Sequence, residues 1–384
     1  MLFLTLTDQP SGVYDSQVID VVRNWQANHN KNTRLVAFFS VRTYLADRKY
    51  VKSKLPNTIA LPLFPMQMGW QLNALLLGLT LLWLKQKNMV TRGIYATNLA
   101  LMLKKTGLVN RICYDGRGAI VPEWQEYMKK NAHKAFIQSI AQLERRAVVD
   151  THYRLAVSNA LVQYWQQNFG YNQQQHVVMP CTLDSQIDQN TPSQTIDQIR
   201  LQLKIEPSDT LIAYAGSLAA WQSSDLTQIF LYHFLKQHAN NKILFLSWSD
   251  DEKMRLQAQF PNQVTIKWVE HNQIQHHLAV CHYGLLIREQ SMTNKVASPA
   301  KFAEYLSAGL SVIISENLGD YTQFVEEKKC GIVINQTNCT TTDLKPIDTR
   351  QRLHNQQLLK KYLSKTAPEI QLKYKTMLQS MSHD

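Results

Sequence analysis

Short apolar runs alternate with longer stretches of helical periodicity along nearly the whole chain. Met1–Leu6, Arg34–Phe39, Thr58–Leu63, Arg111–Tyr114, Ala156–Val157 and His176–Pro180 read as strands. Between them, Asp15–Asn28, Gln71–Lys87, Asn98–Lys105, Lys134–Val149 and Asn159–Asn168 carry the three-to-four spacing of helices. A polar stretch, Asp184–Ser193, breaks this rhythm and reads as a connection. Strands resume at Thr210–Tyr214, Ile243–Ser247, Val264–Trp268, Tyr283–Leu286, Ser311–Ile314 and Gly331–Ile334, with helices between them, notably Ser298–Ala308. The tail, Thr349–Ser380, is helical and mixed in charge.

This alternation predicts parallel strands joined by crossover helices, an α/β chain of two doubly wound halves. The expected division is a first domain over 1–183, a linker over 184–200, a second domain over 201–348 and C-terminal helices over 349–384. Packing back on the first domain is one arrangement open to those helices. Such sheets bind ligands at the carboxyl ends of their strands, so the cleft between the halves is the expected site.

Composition narrows the class. The 384 residues are 45 % hydrophobic and 18 % charged, which excludes a disordered or fibrous chain. The five cysteines are odd in number and form no CxxC, which argues against a disulfide framework and for a reducing cytoplasm. The start, MLFLTLTDQPSG, has no basic region or cleavage site and reads as a first strand rather than a signal peptide. The most apolar run, Trp70–Leu84, falls short of the about 20 residues a membrane span needs. It reads as a buried helix, or as one whose Trp and Leu face dips into a bilayer with Lys85 and Lys87 at the headgroups.

Charge is unevenly placed. The chain carries 41 Lys plus Arg against 29 Asp plus Glu, a net of +12, and residues 1–180 hold 21 against 9, the whole of that excess. An ordinary solvated basic surface is one reading; an anionic partner of the first half is the other.

The richest chemistry lies in Leu285–Val312, LLIREQSMTNKVASPAKFAEYLSAGLSV. A strand runs into Arg288 and then a polar loop with Ser291, Asn294 and Lys295. Pro299 stands near the first turn of a helix on which Lys301 and Glu304 share one face. Cations and backbone N–H groups beside a strand end and a helix start suit phosphate groups, and Glu304 suits ribose hydroxyls. A second signal is Leu211–Gln222, LIAYAGSLAAWQ, where Gly216 and Ser217 end an apolar strand and bring backbone N–H groups close to a ligand.

The long segment resembles the donor-binding run of GT-B glycosyltransferases of glycosyltransferase family 4, bacterial envelope-polysaccharide type. That resemblance implies a nucleotide-diphosphate sugar held by the second half, with Gly216, Ser217, Ser291, Asn294, Lys295, the backbone of Val296, Ala297 and Ser298, and Glu304. It implies Arg288, Lys301 and Glu304 as catalytic residues, retention of configuration and closure around the substrates. Two departures stand out. Relatives carry Arg and Lys in the first loop, where this chain has Ser217 and Gln222, so Arg288 with Lys295 or Lys301 is expected to replace them. Relatives often place a Glu eight residues before Glu304, where this chain has Val296.

In the first half, Gly12 sits in a loop after the first strand, where a plain turn is the alternative. Asp115-Gly116-Arg117-Gly118 ends a strand, with Glu123 beyond. An ion pair bracing the turn explains Asp115 and Arg117; the resemblance makes Gly12, Asp115, Arg117 and Glu123 acceptor-side residues. Arg92 reads more simply as a surface residue beside a turn glycine. His271, His276 and His277 lack carboxylates at ligand spacing, Ser158 lacks a hydrolase elbow, and neither GxGxxG nor D-x-D occurs, so no metal and no cofactor beyond the co-substrate is expected.

The expected activity is therefore a retaining, metal-independent glycosyltransferase of bacterial cell-envelope polysaccharide synthesis. Its expected partners are a nucleotide sugar, a saccharide or phospholipid-linked acceptor and an anionic membrane, at the inner face of the cell membrane, with no nucleic acid. A nucleotide-sugar epimerase of the same fold, or a basic membrane- or nucleic-acid-binding module, are the alternatives.

Overall fold

The computed structural model describes residues 1–64, 69–128, 134–183, 191–216 and 225–382. By internal packing the chain forms two compact units: Met1–Thr182 with Val296–Ser298 and Pro368–Asp384, and Leu183–Lys295 with Pro299–Ala367.

The first unit holds seven parallel strands: β1 (Leu2–Thr5), β2 (Arg34–Ser40), β3 (Ile59–Leu63), β4 (Asn88–Arg92), β5 (Arg111–Gly116), β6 (Tyr153–Ala156) and β7 (His176–Val178). Their order is β3-β2-β1-β4-β5-β6-β7. The second unit holds six: β8 (Thr210–Ala215), β9 (Asn241–Leu246), β10 (Val264–Ile266), β11 (Tyr283–Leu286), β12 (Ser311–Ser315) and β13 (Gly331–Ile334), in the order β10-β9-β8-β11-β12-β13. Each order reverses once, between β1 and β4 and between β8 and β11. Neighbouring crossovers leave in opposite directions there, which opens a crevice at the strand tips.

The central strands are continuous apolar runs because both their faces are covered. Leu35–Phe39 is buried throughout, as are Val312–Ile314 and Ile212–Ala213. On the first sheet, Leu77, Leu81, Leu99 and Leu103 from two helices pack against Leu2, Leu4, Val36 and Ile112. In the second unit, Phe302, Tyr305 and Leu306 from the helix Ala300–Ser307 enter the core on one face, and Phe230 and Phe234 that on the other.

The strand pattern in the second half matches expectation to within two residues at each end. In the first half the structure adds a strand, β4, and a helix, Tyr44–Lys54. β4 follows the apolar helix Asn73–Leu84 after a three-residue turn, whose Lys85 adopts φ 53°. β4 itself holds only two apolar residues, Met89 and Val90, so no apolar run of strand length announces it. Tyr44–Lys54 buries Val51 and is otherwise polar, so its sequence carries little helical periodicity. The helix expected at Asp15 begins earlier, at Gly12, under a Ser11 cap, and widens over Asp15–Ile19 before continuing to Asn28.

Ser193–Gln202 is a helix of the second unit that begins in the stretch read as linker and runs across its expected end at 200, while residues 184–190 lie outside those described. The tail divides: Thr349–Leu358 belongs to the second unit and Pro368–Ser380 to the first, where Tyr374 packs edge-on against Trp25 at 5.5 Å.

Candidate functional site

The tips of β8 and β11, at the reversal of the second sheet, are bound together by one side chain. Tyr305 Oη accepts from Ala215 N–H and donates to the Leu285 carbonyl, both at 3.2 Å. Tyr305 stands one turn beyond Lys301 on the helix Ala300–Ser307, so the same helix delivers Lys301 and Glu304 to this point. Gly309, at φ 79°, ends the helix and lets Leu310 N–H return to the Tyr305 carbonyl.

Around the ring of Tyr214, on β8, three cations converge. Lys301 Nζ stands 5.3 Å from its centroid and Lys253 Nζ 5.8 Å. Arg288 lies close enough to work on both Tyr214 and Lys301 electrostatically. Burial, then Arg288 and Lys253, pull the Lys301 ammonium down to about 7, with Glu304 opposing. Burial pushes the Tyr214 phenol up to about 12. Lys253 is partly neutralised by Asp250 at 2.6 Å and donates to the Trp248 carbonyl at 3.2 Å. Burial and the neighbouring cations disfavour the Lys301 ammonium, and an anion placed among them would favour it.

Arg288 is held in place rather than loose. Its backbone N–H donates to Ser315 Oγ (3.1 Å) and its guanidinium to Asn294 Oδ1 (3.4 Å). Asn294 N–H donates to Ser291 Oγ and its Nδ2 to the Glu289 carbonyl. Lys295 closes this turn with a backbone bond to the Ser291 carbonyl. Glu304 is half-buried; burial raises its carboxyl, and His271 and Lys301 pull it back.

Beside this cluster, just past β9 and β10, Trp248 and Trp268 stack at 5.1 Å and 24° while remaining 66 % and 52 % exposed. Two tryptophans so little covered offer a flat apolar face next to the cations.

The structure thus gathers Gly216, Arg288, Ser291, Asn294, Lys295, Lys301 and Glu304 in the second unit, at or near these strand tips. Ser217 and Gln222 lie outside the described residues. Val296, Ala297 and Ser298 are counted with the first unit: the Val296 carbonyl accepts from Ser158 Oγ at 2.7 Å, and Ser298 Oγ accepts from Cys181 N–H at 2.8 Å. Ser158 also caps the helix Asn159–Phe169, which gives it a structural task.

At the tips of the first sheet, Asp115 is buried between two arginines, 3.3 Å from Arg92 and 3.0 Å from Arg117. Arg92 also meets Asp8 at 3.2 Å, so it is a buried member of a charge chain rather than a surface residue. Glu123 stands nearby in chain on the turn Ile120–Glu123, its carboxyl raised by burial. Glu144 accepts from the N–H groups of Ile120 and Val121, and burial pushes it up to about 7. Gly12 opens the first helical turn under the Ser11 cap.

Sequence reasoning missed Lys253, Trp248, Trp268 and Asp8. Lys253 carried a usable signal: Asp250 is a helix cap, not a mere turn, and a cation three residues on faces the strand tips. His276 bonds Thr191 (3.1 Å) and His277 the Gln273 carbonyl (3.0 Å).

Residues 220–366 match the model of the glucosyltransferase 3-like C-terminal domain. No curated protein matches the chain by sequence. Among solved structures, HepE of Anabaena in complex with UDP superposes with a TM-score of 0.71 at 13 % identity, covering 99 % of each chain. WaaG, a glycosyltransferase involved in lipopolysaccharide biosynthesis, gives 0.62 at 11 % identity over 100 % of each chain. Sucrose-phosphate synthase from Thermosynechococcus elongatus gives 0.68 at 10 % over 98 % of each. The chain has the GT-B fold of these proteins.

Proposed function

We propose that the protein is a retaining glycosyltransferase that moves a sugar from a nucleotide-diphosphate donor to a lipid-linked or saccharide acceptor in bacterial envelope-polysaccharide synthesis. One observation carries this reading: Arg288, Lys301 and Lys253 converge at the switch point of the second sheet, with Glu304 on the same helix as Lys301. A diphosphate would bring negative charge to this cluster of cations. As the bond from the anomeric carbon to the diphosphate breaks, charge accumulates on the leaving oxygens, where fixed cations act most strongly. Arg288 and Lys301 supply that stabilisation, so the reaction needs no metal. Glu304 takes the ribose hydroxyls, and the nucleobase lies on the exposed Trp248–Trp268 face.

The acceptor is assigned to the first unit, with Asp115, Arg117, Glu123 and Gly12 on its side. Its phosphate-linked lipid form accords with the concentration of net positive charge in residues 1–180. Among the described residues no helix is long and apolar enough to cross a membrane. We therefore place the enzyme on the inner face of the membrane, held by the exposed leucines of the helix Asn73–Leu84.

The test is a panel of nucleotide sugars screened for thermal stabilisation, followed by turnover of the best binder. Release of free nucleotide only when an acceptor is supplied supports the transferase. An isomeric nucleotide sugar formed without acceptor would make it an epimerase, and stabilisation by none of the panel would sink the reading.

A further inference from the structure

The first sheet has a second polar feature at its other end, where the strands begin. A cleft of about 600 Å³ lies at the starts of β5 and β6 and just before β7, lined by Arg111, His152, Tyr153, Gln173 and Gln175 among others. All belong to the first unit, and none takes part in the charge chain at the strand tips; Lys104 is not in the lining itself and stands behind it, 3.3 Å from His152.

The hydrogen-bond pattern of His152 is the telling detail. Its Nδ1 faces the backbone N–H of Ile112 at 3.1 Å and must accept from it. In a neutral ring the hydrogen then sits on Nε2. That nitrogen faces Lys104 Nζ at 3.3 Å. An ammonium and a ring N–H are both donors, so each lacks an acceptor from the other. The ring is neutral at physiological pH: burial, then Lys104, Arg111 and Arg154, lower its pKa to about 4. Protonation would worsen the clash, since a fourth positive group would join Lys104, Arg111 and Arg154.

The cations here are also poorly balanced. Among the described residues no ion pair within 4.0 Å joins Lys104, Arg111 or Arg154 to a carboxylate; the acid in electrostatic reach of Arg154, Asp150, stands 3.8 Å from Arg146. Buried Arg154 donates to the Val148 and Val149 carbonyls and lies 5.0 Å from the Tyr171 ring. Arg111 gives one N–H to the Ser380 carbonyl at 3.0 Å. Carbonyls satisfy donors, but they do not neutralise charge. An oxyanion would do both, accepting from Lys104 and His152 together and pairing with Arg111.

We propose that this cleft binds the phosphate monoester of a small soluble metabolite, its oxygens accepting from Lys104 Nζ, His152 Nε2–H and Arg111. The Gln173 and Gln175 amides meet its polar remainder. The site is separate from the sugar-transfer reading and stands whether or not that reading does.

Melting of the full chain is followed with sodium phosphate, then glucose 6-phosphate, against sodium chloride at equal ionic strength. At 100 times the dissociation constant the melting temperature should rise by about 5 °C or more. Lys104→Met and Arg111→Gln, each first checked for an unchanged chloride melting curve, should lose most of that rise. In histidine-labelled protein the His152 ring signals should shift with phosphate and saturate at the same concentration as the melting curve. An equal rise in chloride, or an undiminished one in both variants with an unmoved His152 ring, would overturn the proposal. Binding only to vesicles containing phosphatidic acid would overturn the soluble ligand in favour of a lipid headgroup.

Discussion

The ring of Tyr305 occupies the space that a side chain on Gly284 would need. A Cβ built on Gly284 would come 2.2 Å from Tyr305 Cγ, far inside any tolerable contact. Glycine in the middle of β11 is thus what lets a tyrosine lie flat on the strand and reach the tips of β8 and β11 with its hydroxyl. Gly284→Ala should cost about 1–3 kcal/mol by overpacking and displace the helix that carries Lys301. A thermal melt and a donor titration check this together: the melting temperature should fall and donor affinity should weaken, while Tyr305→Phe should leave the packing and lose the two hydrogen bonds alone.

Arg288 is expected to act on the leaving diphosphate. Arg288→Ala should lower kcat by about 100-fold or more, as removal of a preorganised charge-stabilising donor does, and weaken donor binding. Its backbone bond to Ser315 is kept in the variant, so the fold should survive. Unchanged turnover and nucleotide-sugar affinity in steady-state kinetics would remove Arg288 from the site.

Much of this site was legible because its residues sit in one continuous stretch. Arg288, Asn294, Lys301 and Glu304 fall within a single strand–loop–helix unit, where local spacing decides which side chains meet. Lys253, Trp248 and Trp268 come from neighbouring crossovers, and only the strand order β10-β9-β8-β11 brings them to the same edge. The same reason hid Arg92: its partners Asp8 and Asp115 are 84 and 23 residues away. β4 escaped notice because Asn88–Arg92 holds only two apolar residues, Met89 and Val90, too few to read as an apolar strand run.

Lys301 is expected to make donor binding pH-dependent. In the free protein its ammonium is lowered to about 7 by burial, Arg288 and Lys253. A diphosphate favours the charged form, so the bound pKa lies higher and binding takes up a proton above pH 7. Affinity should therefore be unaffected by this group well below pH 7 and fall as pH rises past it, by up to about tenfold per pH unit. Calorimetry between pH 7.5 and 9 checks the slope, and Lys301→Arg, which stays charged, should flatten it.

The Trp248–Trp268 face is expected to carry the nucleobase. Base stacking on an aromatic side chain is worth about 1–3 kcal/mol, so Trp268→Ala or Trp248→Ala should weaken nucleotide-sugar binding roughly 5- to 150-fold. Competition assays separate this from a phosphate effect. The same variants should leave inhibition by inorganic pyrophosphate, which has no base, close to the wild-type value.

The helix Asn73–Leu84 turns Leu77 and Leu81 into the core and leaves Leu75, Leu79, Leu82 and Trp83 outside, 69 %, 66 %, 60 % and 70 % exposed. Leucines at positions 75, 79 and 82 follow the helical repeat and form one outward stripe. Lys85 and Lys87 follow at its end, where anionic headgroups would meet them. Replacing the three leucines with asparagine removes about 1 kcal/mol of interfacial burial at each, enough for a roughly 100-fold loss of binding to anionic vesicles. Exchanging Lys85 and Lys87 for glutamine should weaken vesicle binding chiefly at low salt, because an exposed charge acts within a Debye length of about 10 Å at 0.1 M. Neither change touches the second unit, so donor affinity in solution should stay at the wild-type value. Co-sedimentation beside a donor titration decides the matter: equal loss of both would mean a damaged fold, and unchanged vesicle binding would mean that this face meets something other than a membrane.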